Sequence, residues 1–167
     1  MIRVARDDDW TAVVELHRAA FGDDEVPRLV EELRAGSYDV LSLSFVATSR
    51  NQVVGHVMNS WVGLEDSAER MLQLSPLGVL PEYQRRGFGS ALVHASLAGA
   101  RELGEPLLFV EGNPKYYGRF GFVRADELGL LPPAETLARS AWAFQVAVFD
   151  RKRLPQGRVV YPPPFRH

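Results

Sequence analysis

A loop with two arginines and two glycines has the clearest chemical potential in this sequence. Arg85 and Arg86 precede Gly87 and Gly89, and an apolar pattern with helical spacing begins at Phe88. The first N–H groups of a helix have no acceptor within the helix, and the helix dipole is positive at that end. Because glycine has no Cβ, a phosphate can approach these N–H groups closely, and the arginines add positive charge. The loop is therefore predicted to bind a pyrophosphate.

Two common phosphate-binding motifs do not fit this loop. A P-loop ends in Gly-Lys-Ser/Thr, which is missing here, and the dinucleotide fingerprint needs a third glycine where position 92 is Leu. What remains is Gln-Arg-Arg-Gly-Phe-Gly, which runs from Gln84 to Gly89. A strand that ends near Val79 precedes it, and Pro81 cannot continue that strand because it has no N–H. The loop is thus predicted to join a strand to a helix.

This stretch resembles the Q/R-x-x-G-x-G/A signature of the Gcn5-related N-acetyltransferase (GNAT) family, and the preceding Leu-Gly-Val-Leu-Pro-Glu-Tyr resembles the family's strand ending. A second block, from Gly112 to Phe122, resembles the G-D/N-P-x-Y-Y-x-R-F-G-F motif of a bacterial subgroup, which more often has Asp where this chain has Asn113. Residues 157–165 resemble the ending of that subgroup. The resemblance covers nearly the whole chain and implies an N-acetyltransferase that uses acetyl-coenzyme A (acetyl-CoA).

The resemblance also implies which residues hold acetyl-CoA. Backbone groups of residues 77–79 would pair with the pantetheine arm, and an N–H near Val79 would polarise the thioester carbonyl. The loop at 84–90 would bind the pyrophosphate. The predicted coenzyme-binding residues are Leu77, Gly78, Val79, Gln84, Arg85, Arg86, Gly87, Phe88, Gly89, Ser90, Asn113 and Tyr117.

Amide formation from a thioester benefits from a group that protonates the departing thiolate. Tyr117 lies four residues before Gly121, where the family has its general-acid tyrosine. A phenol with a pKa near roughly 10 is a neutral proton donor at physiological pH. The alternative is that Tyr117 only packs beside Phe120 and Phe122. Tyr117 is predicted to be the catalytic acid.

The attacking amine must lose a proton, since a free lysine-type amine has a pKa of about 10.4. Family members often use a carboxylate that acts through water. Glu31 or Glu32 on the second predicted helix, Glu82 beside the loop, and Glu111 at the end of an apolar strand are the candidates. Each can also be an ordinary solvated charge. Glu31 and Glu111 are the predicted bases, because the second helix borders the acceptor cleft in the family and a carboxylate is unexpected on a buried strand.

Several other side chains are predicted to be structural. His17 lies on an apolar helical face, and His56 lies between Val54 and Met58 on one face of a strand. The residues expected in the core also include Trp10, Phe21, Phe45 and Trp142. No spacing of His, Asp or Glu predicts a metal site.

Composition excludes several classes of function. The 167 residues are 46% apolar and 24% charged, which predicts a single globular domain over 1–167. A net charge of −2 does not favour a nucleic-acid or membrane partner. The chain has no cysteine, which rules out an acyl-cysteine intermediate and a disulfide framework. No apolar leader is present near Met1, so a cytoplasmic monomer or homodimer is expected.

The pattern of elements predicts an α/β fold with the order β-α-α-β-β-β-α-β-α-β-β, after which residues 157–161 add a last strand. Helices are expected after Asp7, after Asp23 or Asp24, from Gly87 to Leu103, and briefly after Asn113. Strands are expected at 2–5, 43–48, 53–62, 71–79, 107–111, from 122, at 142–149 and at 157–161, with an irregular connection at 126–140. The resemblance implies the GNAT acyltransferase fold, a mixed central sheet with a splayed parallel pair flanked by helices.

The predicted function is transfer of an acetyl group from acetyl-CoA to a primary amine by direct attack. Two alternatives stay open, namely a non-catalytic acyl-CoA binding or sensing module and an acyltransferase that uses a longer acyl chain. The acceptor is an amine of a small molecule or a peptide. Peptide N-termini, lysine, polyamines, amino acids and antibiotic amines are all compatible with the sequence.

Overall fold

The computed structural model describes residues 1–136 and 141–165 of the chain. Within these residues the protein forms four α-helices, which are α1 (Trp10–Phe21), α2 (Glu25–Ala35), α3 (Phe88–Glu102) and α4 (Pro114–Tyr117). It also forms nine strands, which are β1 (Ile2–Val4), β2 (Phe45–Ser49), β3 (Gln52–Leu64), β4 (Arg70–Val79), β5 (Leu107–Glu111), β6 (Val123–Arg124), β7 (Leu130–Leu131), β8 (Phe144–Val148) and β9 (Gly157–Val160). The predicted order is confirmed, with β7 as an additional short strand.

The chain divides into two compact units. The first unit comprises Met1–Ser60 and Leu74–Gly99, and the second comprises Trp61–Gln73 and Ala100–His167. Because the boundaries fall inside β3, β4 and α3, these three elements contribute residues to both units.

In the first unit, β1 and β2 pair antiparallel, and β2 and β3 form the predicted hairpin. Val46 faces His56 across this hairpin, and Phe45 faces Val57. Helices α1 and α2 bury one face each, because their apolar residues recur at helical spacing. The fully or almost fully buried residues of this unit include Val13, Leu16, Val30, Leu33, Val46, Val54, Val57 and Leu92.

In the second unit, β4 and β5 form the predicted parallel pair, with Gln73 opposite Phe109. β5 then pairs antiparallel with β8, and β8 pairs with β6. β9 pairs antiparallel with the end of β3 and parallel with β7. The core of this unit consists of Val62, Leu64, Met71, Leu107, Phe109, Ala125, Leu130, Phe144, Val146, Val159 and Tyr161. The fold is thus a mixed α/β fold that contains a parallel strand pair.

Two aromatic residues predicted to lie in the core are instead exposed. Phe21 is 46% exposed, because it is the last residue of α1 and the chain turns at Gly22 with a left-handed φ of 79°. Trp142 is 48% exposed, because it lies in a helical turn at Ala141–Ala143 and not within β8. The alternation that predicted its burial therefore does not apply to it.

Two element boundaries also differ from the predictions. The helix expected after Asp7 begins only at Trp10. A single helical turn at Asp7–Asp9 precedes it, and the last residue of that turn, Asp9, is buried. The connection expected to be irregular at 126–140 contains β7, since Leu130 is fully buried in the second core. Positions 137–140 of that connection lie outside the described residues.

Candidate functional site

The predicted phosphate-binding loop joins β4 to α3 in the first unit. Pro81–Tyr83 form one helical turn after β4, and α3 begins at Phe88. Residues 84–87 are exposed. Ala91 N–H donates to Gly87 O at 3.0 Å. The N–H groups of the turn before Ala91 are therefore those that a helix leaves without internal acceptors, and they are available to an anion.

The conformation of the loop keeps its surface open. φ is 63° at Arg85 and 90° at Gly87, in the left-handed region that favours glycine. A Cβ built on Gly87 would have no heavy atom within 4 Å. The guanidinium of Arg86 lies 5.3 Å from the centre of the Tyr83 ring, a cation–π contact that orients this charge beside the loop.

The loop is tied back to the end of β4. Gln84 Nε2 donates a hydrogen bond to Val79 O at 3.0 Å, and Leu80 N–H donates to Val54 O at 2.9 Å. The first bond links the predicted coenzyme-binding segments 77–79 and 84–90, and the second links the end of β4 to β3, all within the first unit. Gln84 is therefore a positioning residue of the loop, a use of this side chain that the sequence did not indicate.

Gly78 on β4 packs directly against α1. A Cβ built on Gly78 would lie 2.6 Å from His17 Nδ1 and 3.3 Å from Leu16 Cδ2. Since real Cβ atoms do not approach other heavy atoms to 2.6 Å, no larger residue fits at position 78 unless the strand or the histidine moves.

His17 belongs to a buried row of three polar side chains in the first unit. Its Nε2 lies 2.8 Å from His56 Nδ1, and His56 Nε2 lies 3.0 Å from Ser44 Oγ. Burial lowers the pKa of His17 to about 4. Burial, and then the neighbouring His17, lower the pKa of His56 well below its ordinary value. Both imidazoles are therefore neutral at physiological pH.

The contact between the two histidines was not predicted from the sequence. His17 and His56 were each expected to be packed, and both are indeed fully buried, but their mutual contact was not foreseen. The two residues are 39 positions apart, so no local pattern links them. The one available signal was that each histidine interrupts an apolar face, where an imidazole needs a hydrogen-bond partner.

Glu31 lies in a groove between α1 and α2 with a volume of about 290 Å³. The groove is lined by Trp10, Thr11, Val14, Glu15, Glu31 and Arg34. The Arg34 guanidinium stacks 3.7 Å from the centre of the Trp10 ring. Glu32, the other carboxylate considered on α2, pairs with Arg28 at 3.9 Å. Glu31 is thus the carboxylate of α2 that lines this open groove.

In the second unit, the predicted short helix and its cap are confirmed. Asn113 Oδ1 accepts a hydrogen bond from Lys115 N–H at 2.9 Å, and Pro114 occupies the first helical position. The helix ends after one turn, at Tyr117, which follows its cap by four residues. Asn113 is exposed.

Tyr117 is held by aromatic neighbours. Its ring lies 4.9 Å from that of Tyr116 and 5.5 Å from that of Phe122, in both cases edge to face. A Cβ built on Gly112 would lie 2.5 Å from Tyr117 Cε2, so glycine is needed there for the ring to fit. Burial, and then Tyr116, raise the pKa of the Tyr117 phenol above its ordinary value. The phenol is therefore a neutral hydrogen-bond donor at all physiological pH values.

Glu111, the last residue of β5, is half-buried. Tyr161 O–H donates a hydrogen bond to Glu111 Oε1 at 3.0 Å. This bond fixes the position of the carboxylate. Glu111 belongs to the second unit with Tyr117 and Asn113, whereas Glu31 and the loop belong to the first.

Residues 1–136 and 141–165 contain neither a metal-binding cluster of side chains nor a membrane-spanning helix. No group of three or more His, Cys, Asp or Glu side chains there is arranged to hold a metal ion. No helix in the same residues is both long enough and apolar enough to cross a membrane.

Known proteins are similar in sequence to this chain over most of its length. The acetyltransferase (GNAT) domain family matches residues 1–125. The chain is 32% identical over 155 residues to YhbS of Escherichia coli strain K12, described as an uncharacterized N-acetyltransferase, which covers 92% of this chain and 87% of YhbS. It is 31% identical over 116 residues to YjhQ of the same strain, described in the same words, which covers 68% of this chain and 64% of YjhQ.

Solved structures share its fold. The crystal structure of YhbS from Escherichia coli in complex with CoA superposes with a TM-score of 0.90 at 29% identity, over 100% of this chain and 92% of that one. A GNAT family acetyltransferase from Brucella melitensis in complex with acetyl-CoA superposes with a TM-score of 0.79 at 30% identity, over 99% and 97%. Together with the family match over residues 1–125, these similarities establish that the chain belongs to the GNAT family of N-acetyltransferases.

Proposed function

We propose that this protein transfers an acetyl group from acetyl-CoA to a primary amine by direct attack. The observation that carries the proposal is the loop before α3, where exposed backbone N–H groups and two arginines surround an open surface at Gly87. Two structural relatives, YhbS and the Brucella melitensis protein, were crystallised with CoA and acetyl-CoA respectively. Their ligands support the same donor for this chain.

The pyrophosphate of acetyl-CoA would lie over residues 84–90. Arg85 and Arg86 supply charge, and the first N–H groups of α3 supply hydrogen bonds. The pantetheine arm would follow the backbone of residues 77–79, which Gln84 ties to the loop. Asn113 and Tyr117 are further proposed coenzyme contacts.

In the transfer step the amine nitrogen forms a bond to the thioester carbon, and the carbon–sulfur bond then breaks. Val79 N–H would stabilise the negative charge that develops on the carbonyl oxygen. Since the chain has no cysteine, an acyl-cysteine cannot form. We therefore expect donor and acceptor to be bound together when transfer occurs.

To complete the reaction, the departing thiolate must be stabilised and the amine must lose a proton. The thiolate would receive a hydrogen bond or a proton from the Tyr117 phenol. A thiol has a pKa of only about 8.5, and the pKa of Tyr117 is raised above its ordinary value, so stabilisation by a hydrogen bond is favoured over complete transfer. The amine proton would pass to Glu31 or Glu111, directly or through water. Glu31 is favoured because it lines the open groove between α1 and α2.

An acetyl-CoA consumption assay against a broad amine panel tests the proposal. We expect amine-dependent release of free CoA, with intersecting lines in two-substrate kinetics. Parallel lines would contradict direct transfer, because they require a covalent acyl-enzyme. Tight binding of acetyl-CoA without consumption for any amine would indicate a sensing module. Faster consumption of a longer acyl-CoA would identify a different donor.

A further inference from the structure

An arginine in the groove between α1 and α2 has no carboxylate in an ion pair with it. The Arg34 guanidinium lies 3.7 Å from the centre of the Trp10 ring, which covers one of its faces. Glu31 is three residues earlier on the same helix, a spacing at which opposite charges often pair. No ion pair joins the two in the described part of the chain, where the ion pairs involve other residues. The groove therefore presents a cation and an anion that do not pair with each other.

The other carboxylates near Arg34 do not neutralise it either. Glu15, which also lines the groove, pairs with Arg18 on α1. Burial raises the pKa of the Asp39 carboxyl, and the charge of Arg34 acts against this shift. Among the residues described, however, Asp39 forms no ion pair with Arg34. Arg34 and Glu31 are thus the charged groups of the groove that are open to the charges of a ligand.

The stacked guanidinium is suited to binding a carboxylate. Stacking leaves the edge of the guanidinium plane open, and the N–H groups on this edge match the two oxygens of a carboxylate in a bidentate pair. Contact with the Trp10 ring also restrains Arg34 before a ligand arrives, so less side-chain entropy is lost on binding. The Glu31 carboxylate, in turn, attracts an ammonium group. A ligand that satisfies both residues carries a carboxylate and an amine.

Spacing and size narrow the class of ligand. Side chains three residues apart on a helix have their Cβ atoms about 5–6 Å apart, so a ligand whose two charged groups are only a few atoms apart can bridge them. The groove volume of about 290 Å³ is at the low end of the roughly 300–1,000 Å³ of ligand pockets. A free α-amino acid meets both conditions. A polyamine lacks the carboxylate, and a peptide separates its terminal charges by more atoms.

We propose that the groove between α1 and α2 is a binding site for a free α-amino acid. The carboxylate of this ligand pairs with Arg34, and its ammonium group lies beside Glu31. Binding forms and breaks no covalent bond and requires no acetyl-CoA. The inference therefore goes beyond the proposed acetyl transfer, and the two are tested separately.

Calorimetry of the full chain with each of the standard L-amino acids, without acetyl-CoA, tests the site. At least one amino acid should bind at millimolar concentration. Its amide, which lacks the carboxylate, should bind about tenfold more weakly, because a hydrogen-bonded charge pair is lost. The corresponding carboxylic acid without the amino group should also bind more weakly. Absence of binding for every amino acid, or equal binding of the amide, would overturn the inference.

Variants of the two charged residues locate each end of the ligand. In Arg34→Gln, affinity for the amino acid should fall about tenfold, and changing the carboxylate to an amide should then have no further effect, because its partner is gone. In Glu31→Gln the same should hold for removal of the amino group. Arg28→Gln is the control, since it removes an equal charge from α2 at a residue that pairs with Glu32 and is outside the lining of the groove. Its affinity for the amino acid should be unchanged.

Arg34→Lys separates binding from packing. Lysine keeps a positive charge that can lie over the Trp10 ring but lacks the planar fork, so affinity should be between those of the natural protein and Arg34→Gln. Melting temperatures of both variants measure the contribution of the stacked side chain to stability. A lowered melting temperature with unchanged affinity for the amino acid would assign Arg34 a purely structural role and overturn the inference.

The proposed function is overturned by a different result. Absence of acetyl-CoA consumption with every amine would contradict acetyl transfer and leave the amino-acid site unaffected. Conversely, an Arg34→Gln protein that binds the amino acid as tightly as the natural protein does would overturn only the inference.

Discussion

His17 and Gly78 are in such close contact that a methyl group on Gly78 would lie 2.6 Å from His17 Nδ1. The contact joins the buried histidine row to the strand segment that we assign to the acyl donor. It makes Gly78 a position where stability and activity should depend on the same packing.

Replacing Gly78 with Ala should therefore lower both stability and turnover. Overpacking of this size costs typically about 1–3 kcal/mol, and any shift of β4 would misplace Val79 N–H. Gly63→Ala is the matched control on β3, because its Cβ would meet only Val160 O at 3.9 Å. Chemical denaturation and steady-state kinetics measure the two effects. Equal stability of the two variants would contradict this packing.

Replacing Gly87 with Val should weaken acetyl-CoA binding at least tenfold, roughly the loss of one or two hydrogen bonds to the phosphate. The side chain would project into the open space over the loop, and φ of 90° would be strained. Gly104→Val is the control, because Gly104 has a φ of 78° and equally open surroundings but follows α3. Calorimetry should find weaker binding only for the Gly87 variant. Unchanged affinity in that variant would exclude the loop as the phosphate site.

Tyr117→Phe should lower turnover about tenfold to a hundredfold, up to the weak end of general acid catalysis, with little change in acetyl-CoA affinity. The variant removes only the hydroxyl and keeps the ring contacts with Tyr116 and Phe122. Tyr116→Phe is the control, since it makes the same chemical change on the adjacent ring. Steady-state assays of both variants measure turnover. A folded, fully active Tyr117→Phe protein would remove this phenol from the mechanism.

The free energy of unfolding should fall as pH is lowered from about 6.5 towards 4. His17 is neutral in the folded protein down to a pKa of about 4, whereas a histidine in the unfolded chain protonates near about 6.5. The unfolded state then binds more protons, so stability is complete above the unfolded pKa and is lost towards the folded one. His17 contributes about 3 kcal/mol over this interval, and His56 acts in the same direction.

Urea unfolding at several pH values measures this loss. A hydrogen bond from Arg3 lowers the pKa of the Asp9 carboxyl, which moves its titration in the folded protein away from this interval. The His17→Gln variant lacks one of the two buried imidazoles and should lose less stability between the same pH values. An identical pH dependence in the variant would show that His17 does not titrate as described.

Glu31→Lys should change the preference among amines more than the affinity for acetyl-CoA. The substitution reverses a charge in the groove between α1 and α2, where a cationic acceptor would be attracted by a carboxylate. Glu102→Lys, an equal charge change at the exposed end of α3, is the control. The amine panel measures preference and calorimetry measures donor affinity. Equal changes in both quantities would show that the groove is not an acceptor site.

Local sequence was enough to predict the strand, loop and helix that surround residues 77–90. The turn at Pro81, the glycines and the apolar repeat of α3 act within a few residues of one another, so their effect does not depend on the rest of the chain. The cap at Asn113 was predicted for the same reason, because it bonds to Lys115 two residues away. Family resemblance rested on these same segments.

Long-range packing decided the remainder. Phe21 and Trp142 have apolar side chains, but their exposure depends on where α1 ends and β8 begins. The sequence placed each histidine on an apolar face. Only the tertiary structure decided that His17 meets His56, because the hairpin register opposite Val46 and the packing of α1 together set that contact. Contacts across 39 residues follow from how whole elements pack, and a neutral imidazole lies against Gly78 only once those elements have packed.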